Sequence, residues 1–208
     1  MVSLRMPIYE IGTKKVLFIH IPKTGGASLS SWLSEKGKVS LSGLLHSSTF
    51  KCNPQHFTFQ DIKTLFPDHK WDFVFTVVRN PYKRIASEFQ WRMQLISNAE
   101  QPLVDFSLWI DCVLNKYAKN LFYLDNHLRS QIDFIDSNIV IYHYEDGISN
   151  VAQKISTELG IENDFEDRHL NSSVAKEVTW TFRSNELMER HYRRDFEVFG
   201  YKRHINTL

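Results

Sequence analysis

The stretch VLFIHIPKTGGASLSSW, residues 16–32, joins a buried-strand pattern directly to a helical pattern. Its first residues are all apolar and rich in β-branched and aromatic side chains, which is typical of a strand covered on both faces. Pro22 ends the strand, because proline cannot donate to a sheet ladder. After the loop, Leu29, Trp32 and Leu33 recur at helical spacing. The stretch therefore predicts a strand, a tight loop and a helix in direct succession.

The loop KTGGAS, residues 23–28, has the composition of an anion site. Paired glycines let the backbone turn sharply and aim successive N–H groups at one point, and the start of a helix adds partial positive charge. A plain strand-to-helix turn also favours glycine and serine, but it has no need of the lysine. The residues predicted to hold a phosphate-like anion are Lys23, Thr24, Gly25, Gly26, Ala27 and Ser28. A Walker A loop is excluded, since its lysine follows the glycines.

Length and composition favour one globular domain over residues 1–208. The formal net charge of +1 argues against a broad nucleic-acid-binding face, so anion binding has to be local. Cys52 and Cys112 are too few for a disulfide framework, and no Cys-x-x-Cys spacing is present for zinc. We therefore expect both cysteines to be free thiols in a reducing compartment.

Nothing in the sequence has the length of a membrane anchor. Residues 1–10 have no signal-peptide core, and the apolar runs at 16–21 and 73–78 are too short to cross a bilayer. We therefore expect a cytoplasmic protein without a membrane anchor.

Apolar runs at residues 71–78 and 139–142 predict two further strands. Helical patterns alternate with the strands, at 58–66, from Asn80 onward, and at 104–117, 145–159 and 184–198. This alternation predicts an α/β fold in which a central parallel sheet is flanked by helices. Less regular segments are 39–45 (a short strand or irregular), 121–135 (short helical pieces) and 162–178 (a polar loop).

Polar clusters follow all three predicted strands, at residues 23–28, 79–80 and 143–146. Ligands of open α/β sheets bind outside the carboxyl ends of the strands, so these clusters should converge on one edge. Arg79 offers a planar fork for phosphate, and the hydroxyl of Ser87 could complete the cradle. From these two residues alone, pairing of Arg79 with a carboxylate and simple packing of Ser87 are equally good readings.

The two long motifs together resemble the sulfotransferase family that uses 3′-phosphoadenosine 5′-phosphosulfate, and within it the carbohydrate branch that contains the heparan sulfate 2-O enzyme. IHIPKTGGASL, residues 19–29, is similar to the family's 5′-phosphosulfate loop, and VVRNPYKRIASEF, residues 77–89, to its 3′-phosphate segment. Weaker matches are QHFTFQDI at 55–62, YEDGI at 144–148, HLNSS at 169–173 and DFEVFGY at 195–201.

The resemblance implies a P-loop-like sulfotransferase fold and an enzyme that passes a sulfuryl group from the phosphosulfate co-substrate to a hydroxyl. It implies that Lys23 neutralises the departing phosphate, that His56 is the catalytic base, and that Arg79 and Ser87 bind the 3′-phosphate. The expected acceptor is a carbohydrate or a small molecule, and no metal is expected. His20, just before the anion loop, is the rival base, and its plain reading is a histidine bonded to backbone at a strand end.

The sequence departs from the family at two points. Many eukaryotic relatives carry an N-terminal anchor and stem, for which this sequence has no pattern. Cytosolic small-molecule sulfotransferases have a tryptophan in the first loop, where Ser28 stands here. The candidate for contact with the adenine is therefore the segment WTFR at 180–183, with Arg183 as a cofactor-binding residue, although Trp180 fits a core position equally well.

Two other functions compete with sulfuryl transfer. A kinase or other phosphotransferase would need a lysine after the glycines and an acidic magnesium ligand at a strand end, and residues 75–80 supply none. A non-catalytic nucleotide-binding protein of the same fold is disfavoured by the joint presence of Lys23, His56, Arg79 and Ser87. The acceptor side of the cleft is predicted at residues 36–55 and 94–126.

Overall fold

A computed structural model describes residues 8–39, 50–98, 104–166 and 178–203. The motif at 169–173 and all of the predicted strand at 39–45 except Val39 lie outside these residues. The chain divides into two compact units. The first comprises the described residues of 1–79 and 133–170, and the second those of 80–132 and 171–208.

The first unit contains a five-stranded sheet in the order β3-β1-β2-β4-β5. Its strands are β1 Ile8–Ile11, β2 Lys14–Ile19, β3 Lys38–Val39, β4 Phe73–Val78 and β5 Val140–His143. The three strands predicted from apolar runs, β2, β4 and β5, pair in parallel, with Phe18 opposite Phe75 and Val78 opposite His143. The α/β class and the parallel core of the sheet are thus confirmed, while β1 and β3 add an antiparallel edge.

The described residues form six α-helices: α1 Gly26–Lys36, α2 Phe59–Leu65, α3 Pro81–Asn98, α4 Phe106–Lys119, α5 Ile148–Leu159 and α6 Phe182–Phe199. Helices α1, α2 and α5 belong to the first unit, and α3, α4 and α6 to the second. None of the helices in the described parts of the chain has both the length and the apolarity that crossing a bilayer requires.

One face of the sheet is covered by α1 and α5. Alternate residues of a strand point to the same face, so β2 and β4 together present an apolar surface there. The core formed on this face consists of Val16, Phe18, Phe75 and Val77 from the strands, Leu29 and Leu33 from α1, and Val151 and Ile155 from α5. All eight side chains are fully buried, so their packing holds α1 and α5 at a fixed distance from the sheet.

Helix starts lie where the capping residues predict. The hydroxyl of Thr58 accepts from the N–H of Asp61, and the Asp61 carboxylate accepts in return from Thr58, so α2 begins with a complete capping box. The Asn80 side chain accepts from the N–H groups of Tyr82 (3.0 Å) and Lys83 (3.3 Å) ahead of α3. Pro81 occupies the first helical position, as predicted.

The second unit packs α3, α4 and α6 around an apolar core. Its most buried members are Tyr82, Ile85, Ile110, Leu114, Leu128, Leu187, Met188, Tyr192 and Phe196. Asp195 of α6 lies fully buried and accepts from the Ser130 hydroxyl (2.6 Å) and from the N–H groups of Gln131 (2.9 Å) and Ile132 (3.0 Å). This carboxylate ties the segment at 130–132 to the helix.

Residues 121–129 differ from the predicted helical pieces. They form consecutive turns in which Leu124, Asp125 and Asn126 all have positive φ values of 57°, 59° and 63°. Asp and Asn tolerate this left-handed region better than most residues. The backbone at 124–126 therefore has left-handed dihedral angles instead of those of a right-handed helix. The prediction of a short helical piece holds only for the 3₁₀ turn at Gln131–Phe134.

Candidate active site

The loop between β2 and α1 is a strained turn. Lys23 has a φ of 69° and Gly25 a φ of 82°, so two of its residues are left-handed. For a lysine this conformation costs roughly 1–2 kcal/mol. Inside the turn, the fully buried Thr24 donates its hydroxyl to the carbonyl of Ile21 at 2.8 Å. The predicted loop therefore exists, and its backbone is held in an unusual shape.

Close contacts require both glycines of the loop. A Cβ on Gly25 would lie 2.6 Å from Cδ1 of Ile148 and 3.0 Å from Cε2 of Tyr144. A Cβ on Gly26 would lie 2.4 Å from Nε2 of His20. Real Cβ contacts are longer than this, so both glycines allow close approach, and Gly25 also provides the left-handed backbone.

Helix α1 begins at Gly26 without a side-chain cap on its first N–H groups. Those N–H groups and the helix dipole therefore face the loop with partial positive charge. Ala27 and Ser28 are the second and third residues of α1, and both are half-buried, as is Lys23. The predicted anion-binding residues are thus contiguous around the start of one helix.

Arg79 connects the other two strand ends to this loop. Its guanidinium donates to the carbonyl of Lys23 at 3.1 Å and lies 4.2 Å from the centre of the Tyr144 ring. Tyr144 in turn is one of the neighbours that exclude a side chain at Gly25. The predicted convergence of the clusters after β2, β4 and β5 is therefore confirmed within the first unit.

His56 lies at the end of a 3₁₀ turn, Pro54–His56, whose start is capped by the Asn53 side chain. It is half-buried, and its ring meets that of His20 edge-on, with 5.8 Å between centroids. His20 is only 5% exposed, and its Nδ1 lies 2.8 Å from Nε2 of Gln55. The two histidines considered as bases are thus neighbours, in different environments.

Ser87 and Arg183 belong to the second unit. Ser87 is half-buried on the second turn of α3. Arg183 is exposed in the first turn of α6, where its guanidinium pairs with Asp111 (3.2 Å) and Glu186 (3.7 Å). Trp180 packs edge-on against Tyr82 and Phe106, each with 4.8 Å between centroids, so its ring has core partners.

Two residues near the loop were not predicted from the sequence, Tyr144 and Gln55. Tyr144 opens the YEDGI segment and lies in the cluster at 143–146, which the sequence predicts at this edge without singling out Tyr144 itself. Gln55 directly precedes His56, and its side chain bonds to His20 rather than pointing to solvent. Each residue lies within a segment that the sequence analysis singles out, Gln55 in 55–62 and Tyr144 in 143–146.

One family model, described as the sulfotransferase family, matches residues 10–202. The chain belongs to the sulfotransferase family. The match covers both long motifs, so it confirms the resemblance at the level of the sulfotransferase family, with sulfuryl transfer as the general activity. No significant match is found among curated proteins or among solved structures.

In a sulfotransferase, the geometry around Lys23 has a direct chemical use. Sulfuryl transfer moves a charged group between two oxygens, so catalysis depends on positioning and on stabilising negative charge. The uncapped α1 N–H groups, Lys23 and Arg79 concentrate positive charge at one edge of the sheet. This edge is the candidate active site of the first unit.

Proposed function

We propose that this sulfotransferase uses 3′-phosphoadenosine 5′-phosphosulfate as donor and transfers its sulfuryl group to an acceptor hydroxyl. The observation that carries the proposal is the contact of Arg79 with the carbonyl of Lys23 beside the uncapped start of α1. Such a site suits a ligand with two separate anionic groups. Because the family match runs through both compact units, we further propose that residues 1–208 act as one domain.

The 5′-phosphosulfate is assigned to the loop at 23–28. Lys23 neutralises the charge that grows on the departing phosphate, and the N–H groups of the loop and of α1 donate to its oxygens. Since the Thr24 hydroxyl already donates to Ile21, its contribution comes from its backbone N–H. Ser28, on the first turn of α1, adds a hydroxyl.

The 3′-phosphate is assigned to Arg79 and Ser87. For Arg79 the assignment is supported by its place beside the loop, where the planar guanidinium can bind phosphate as well as the Lys23 carbonyl. For Ser87, in the second unit, the assignment rests on the motif at 77–89 alone. Arg183, also in the second unit, is proposed as a cofactor-binding residue on the adenine side, on the basis of the segment at 180–183 alone.

His56 is proposed as the base. It accepts the proton of the acceptor hydroxyl while the hydroxyl oxygen bonds to sulfur and the bond from sulfur to the phosphate oxygen breaks, releasing adenosine 3′,5′-bisphosphate. Support comes from burial, because His56 is half-buried whereas His20 is nearly enclosed and bonded to Gln55. The acceptor is proposed to be a carbohydrate or small molecule, as in the heparan sulfate 2-O branch.

Ligand-dependent stability tests the donor without any acceptor. Adenosine 3′,5′-bisphosphate at a hundredfold excess over its Kd should raise the Tm by roughly 5–10 °C, because saturation adds about 2.7 kcal/mol. ATP with magnesium lacks the 3′-phosphate and should raise it much less. Arg79→Ala should shrink the shift, while Arg194→Ala, an exposed arginine on α6, should leave it unchanged.

Two outcomes would contradict the proposal. A larger shift with ATP and magnesium, unaffected by Arg79→Ala, would favour a phosphotransferase. A normal shift with the bisphosphate but no transfer from the phosphosulfate to any acceptor or to water would favour the non-catalytic nucleotide-binding alternative.

A further inference from the structure

A glutamine–histidine pair joins the turn of His56 to the loop of Lys23. Gln55 sits in the middle of the 3₁₀ turn Pro54–His56, one residue before the proposed base. Its N–H donates to the Asn53 side chain at 2.9 Å, which fixes the turn, and its side-chain nitrogen lies 2.8 Å from Nδ1 of His20. The side chain of Gln55 is therefore directed inward, to the end of β2.

The His20 ring fills the space between this turn and the start of α1. It stacks on Phe18 of β2 at 5.4 Å with an interplanar angle of 8°, and it meets the His56 ring edge-on. On its far side, Nε2 approaches Gly26 so closely that a Cβ there would lie 2.4 Å away. One buried ring thus contacts both the base-bearing turn and the first residue of the anion-binding helix.

The bond to Gln55 determines where the His20 proton lies. An amide nitrogen carries only donor hydrogens, so with the amide oriented as in the structure Nδ1 of His20 accepts. The single ring proton of neutral His20 is then on Nε2. If Nδ1 also carried a proton, its N–H and the amide N–H of Gln55 would be two donors pointing at each other. His20 is only 5% exposed, and a buried donor without an acceptor is costly. Of the side chains around the His20 ring, His56 is titratable and Phe18 is apolar. The charged Lys23 lies on the loop that follows His20.

We infer that Gln55 and His20 are positioning residues that lock the His56 turn to the start of α1, with His20 held neutral as the Nε2–H tautomer. The catalytic consequence rests on the proposed function, since it assigns His56 and the Lys23 loop to the same reaction. A base and an oxyanion cradle that must act together need a fixed separation, and misplacement by about 1 Å can cost about 10²-fold in rate.

Nitrogen NMR of the histidine rings tests the lock itself, with or without turnover. From about pH 6 to 8, His20 should show a protonated Nε2 and an unprotonated Nδ1. In Gln55→Glu, which keeps the side-chain volume, the carboxylate accepts from Nδ1–H, so His20 should become doubly protonated within this range. A wild-type His20 that is protonated on Nδ1, or that titrates like a free histidine, would overturn the inference.

Steady-state kinetics test what the lock does. Gln55→Leu should lower kcat about 10- to 100-fold with little change in KM for the phosphosulfate donor, because the anion loop stays intact. Gln55→Glu should add an ionisation to the pH profile of kcat that the wild type lacks. Gln60→Leu, an exposed glutamine on α2, is the matched control and should behave as wild type.

The lock between Gln55 and His20 and its role in catalysis can be tested separately. Wild-type kcat in Gln55→Leu, with the predicted tautomer in the wild type, would remove the pair from catalysis and leave the proposed function standing. Absence of any sulfuryl transfer by the wild type would overturn the proposed function, while the NMR result would still decide whether the lock exists.

Discussion

Lys23 carries both the charge and the strain of the candidate site. Its left-handed backbone is stabilised by its neighbours, since Arg79 donates to its carbonyl and Thr24 closes the turn onto Ile21. Strain of this kind persists only where surrounding contacts determine it, and it is concentrated at functional sites. The sequence predicted the charge of Lys23 but could not predict its φ, because lysine has no preference for that region.

Replacement of Lys23 tests its role in the transition state. We expect Lys23→Ala to lose about 10² to 10³ in kcat, because one donor to developing charge is removed. The protein should remain folded, since the left-handed backbone suits alanine as well as lysine and the Thr24 bond is kept. Turnover with excess donor, together with circular dichroism, measures both. Lys83→Ala, an exposed lysine on α3, is the control, and a normal rate in folded Lys23→Ala would remove the lysine from the mechanism.

At the level of elements, local signals were predictable and tertiary ones were not. The capping box at Thr58 and the Asn80-Pro81 start of α3 are local, and the sequence located both. The left-handed turn at 124–126 was not predicted, because Asp and Asn tolerate positive φ values without requiring them and Leu124 gives no local signal for one. Likewise β1 is four residues long and is defined by pairing with β2, which a short amphipathic segment does not reveal.

Asp195 of α6 shows how an element depends on a single carboxylate. Asp195→Ala should lower the free energy of unfolding by about 3 kcal/mol, because the N–H groups of Gln131 and Ile132 and the Ser130 hydroxyl lose a buried acceptor. Asp195→Asn should cost less, since its amide oxygen still accepts. Urea denaturation provides the measurement.

Glu186→Ala on the same helix is the matched control for Asp195. Its carboxylate is about half exposed and pairs with Arg183 at 3.7 Å, so a cost between about 0 and 1 kcal/mol is expected. Equal losses for Asp195→Ala and Glu186→Ala would show that the buried carboxylate does not anchor the segment at 130–132.

For the whole molecule, charge is nearly balanced and function depends on local placement. With a net charge of +1, the proposed anion binding depends on a few cations at one sheet edge, Lys23 and Arg79 among them. From the sequence, the three parallel strands and the convergence of their carboxyl ends could be predicted, because parallel sheets place their ligands at one edge. The division into two compact units could not, since it depends on which distant segments, such as 130–132 and α6, come together.

The pH dependence of global stability offers a last prediction, through His191 of α6. Burial lowers the pKa of His191, and the neighbouring Arg190 lowers that pKa further. The unfolded chain, with an ordinary histidine pKa of about 6.5, then binds a proton more readily than the folded protein. Above about pH 6.5, His191 therefore does not reduce the free energy of unfolding. That free energy falls as the pH drops through this value toward the lower pKa of the folded state.

Urea midpoints at about pH 7.5 and about pH 5.5 measure this effect against the ordinary histidine pKa of about 6.5. The wild type should lose more stability between the two than His191→Gln, whose side chain does not titrate. His69→Gln, an exposed histidine after α2, is the control and should follow the wild type. Parallel losses in wild type and His191→Gln would mean that His191 takes up its proton without penalty in the fold, and that the acid sensitivity of the molecule arises elsewhere.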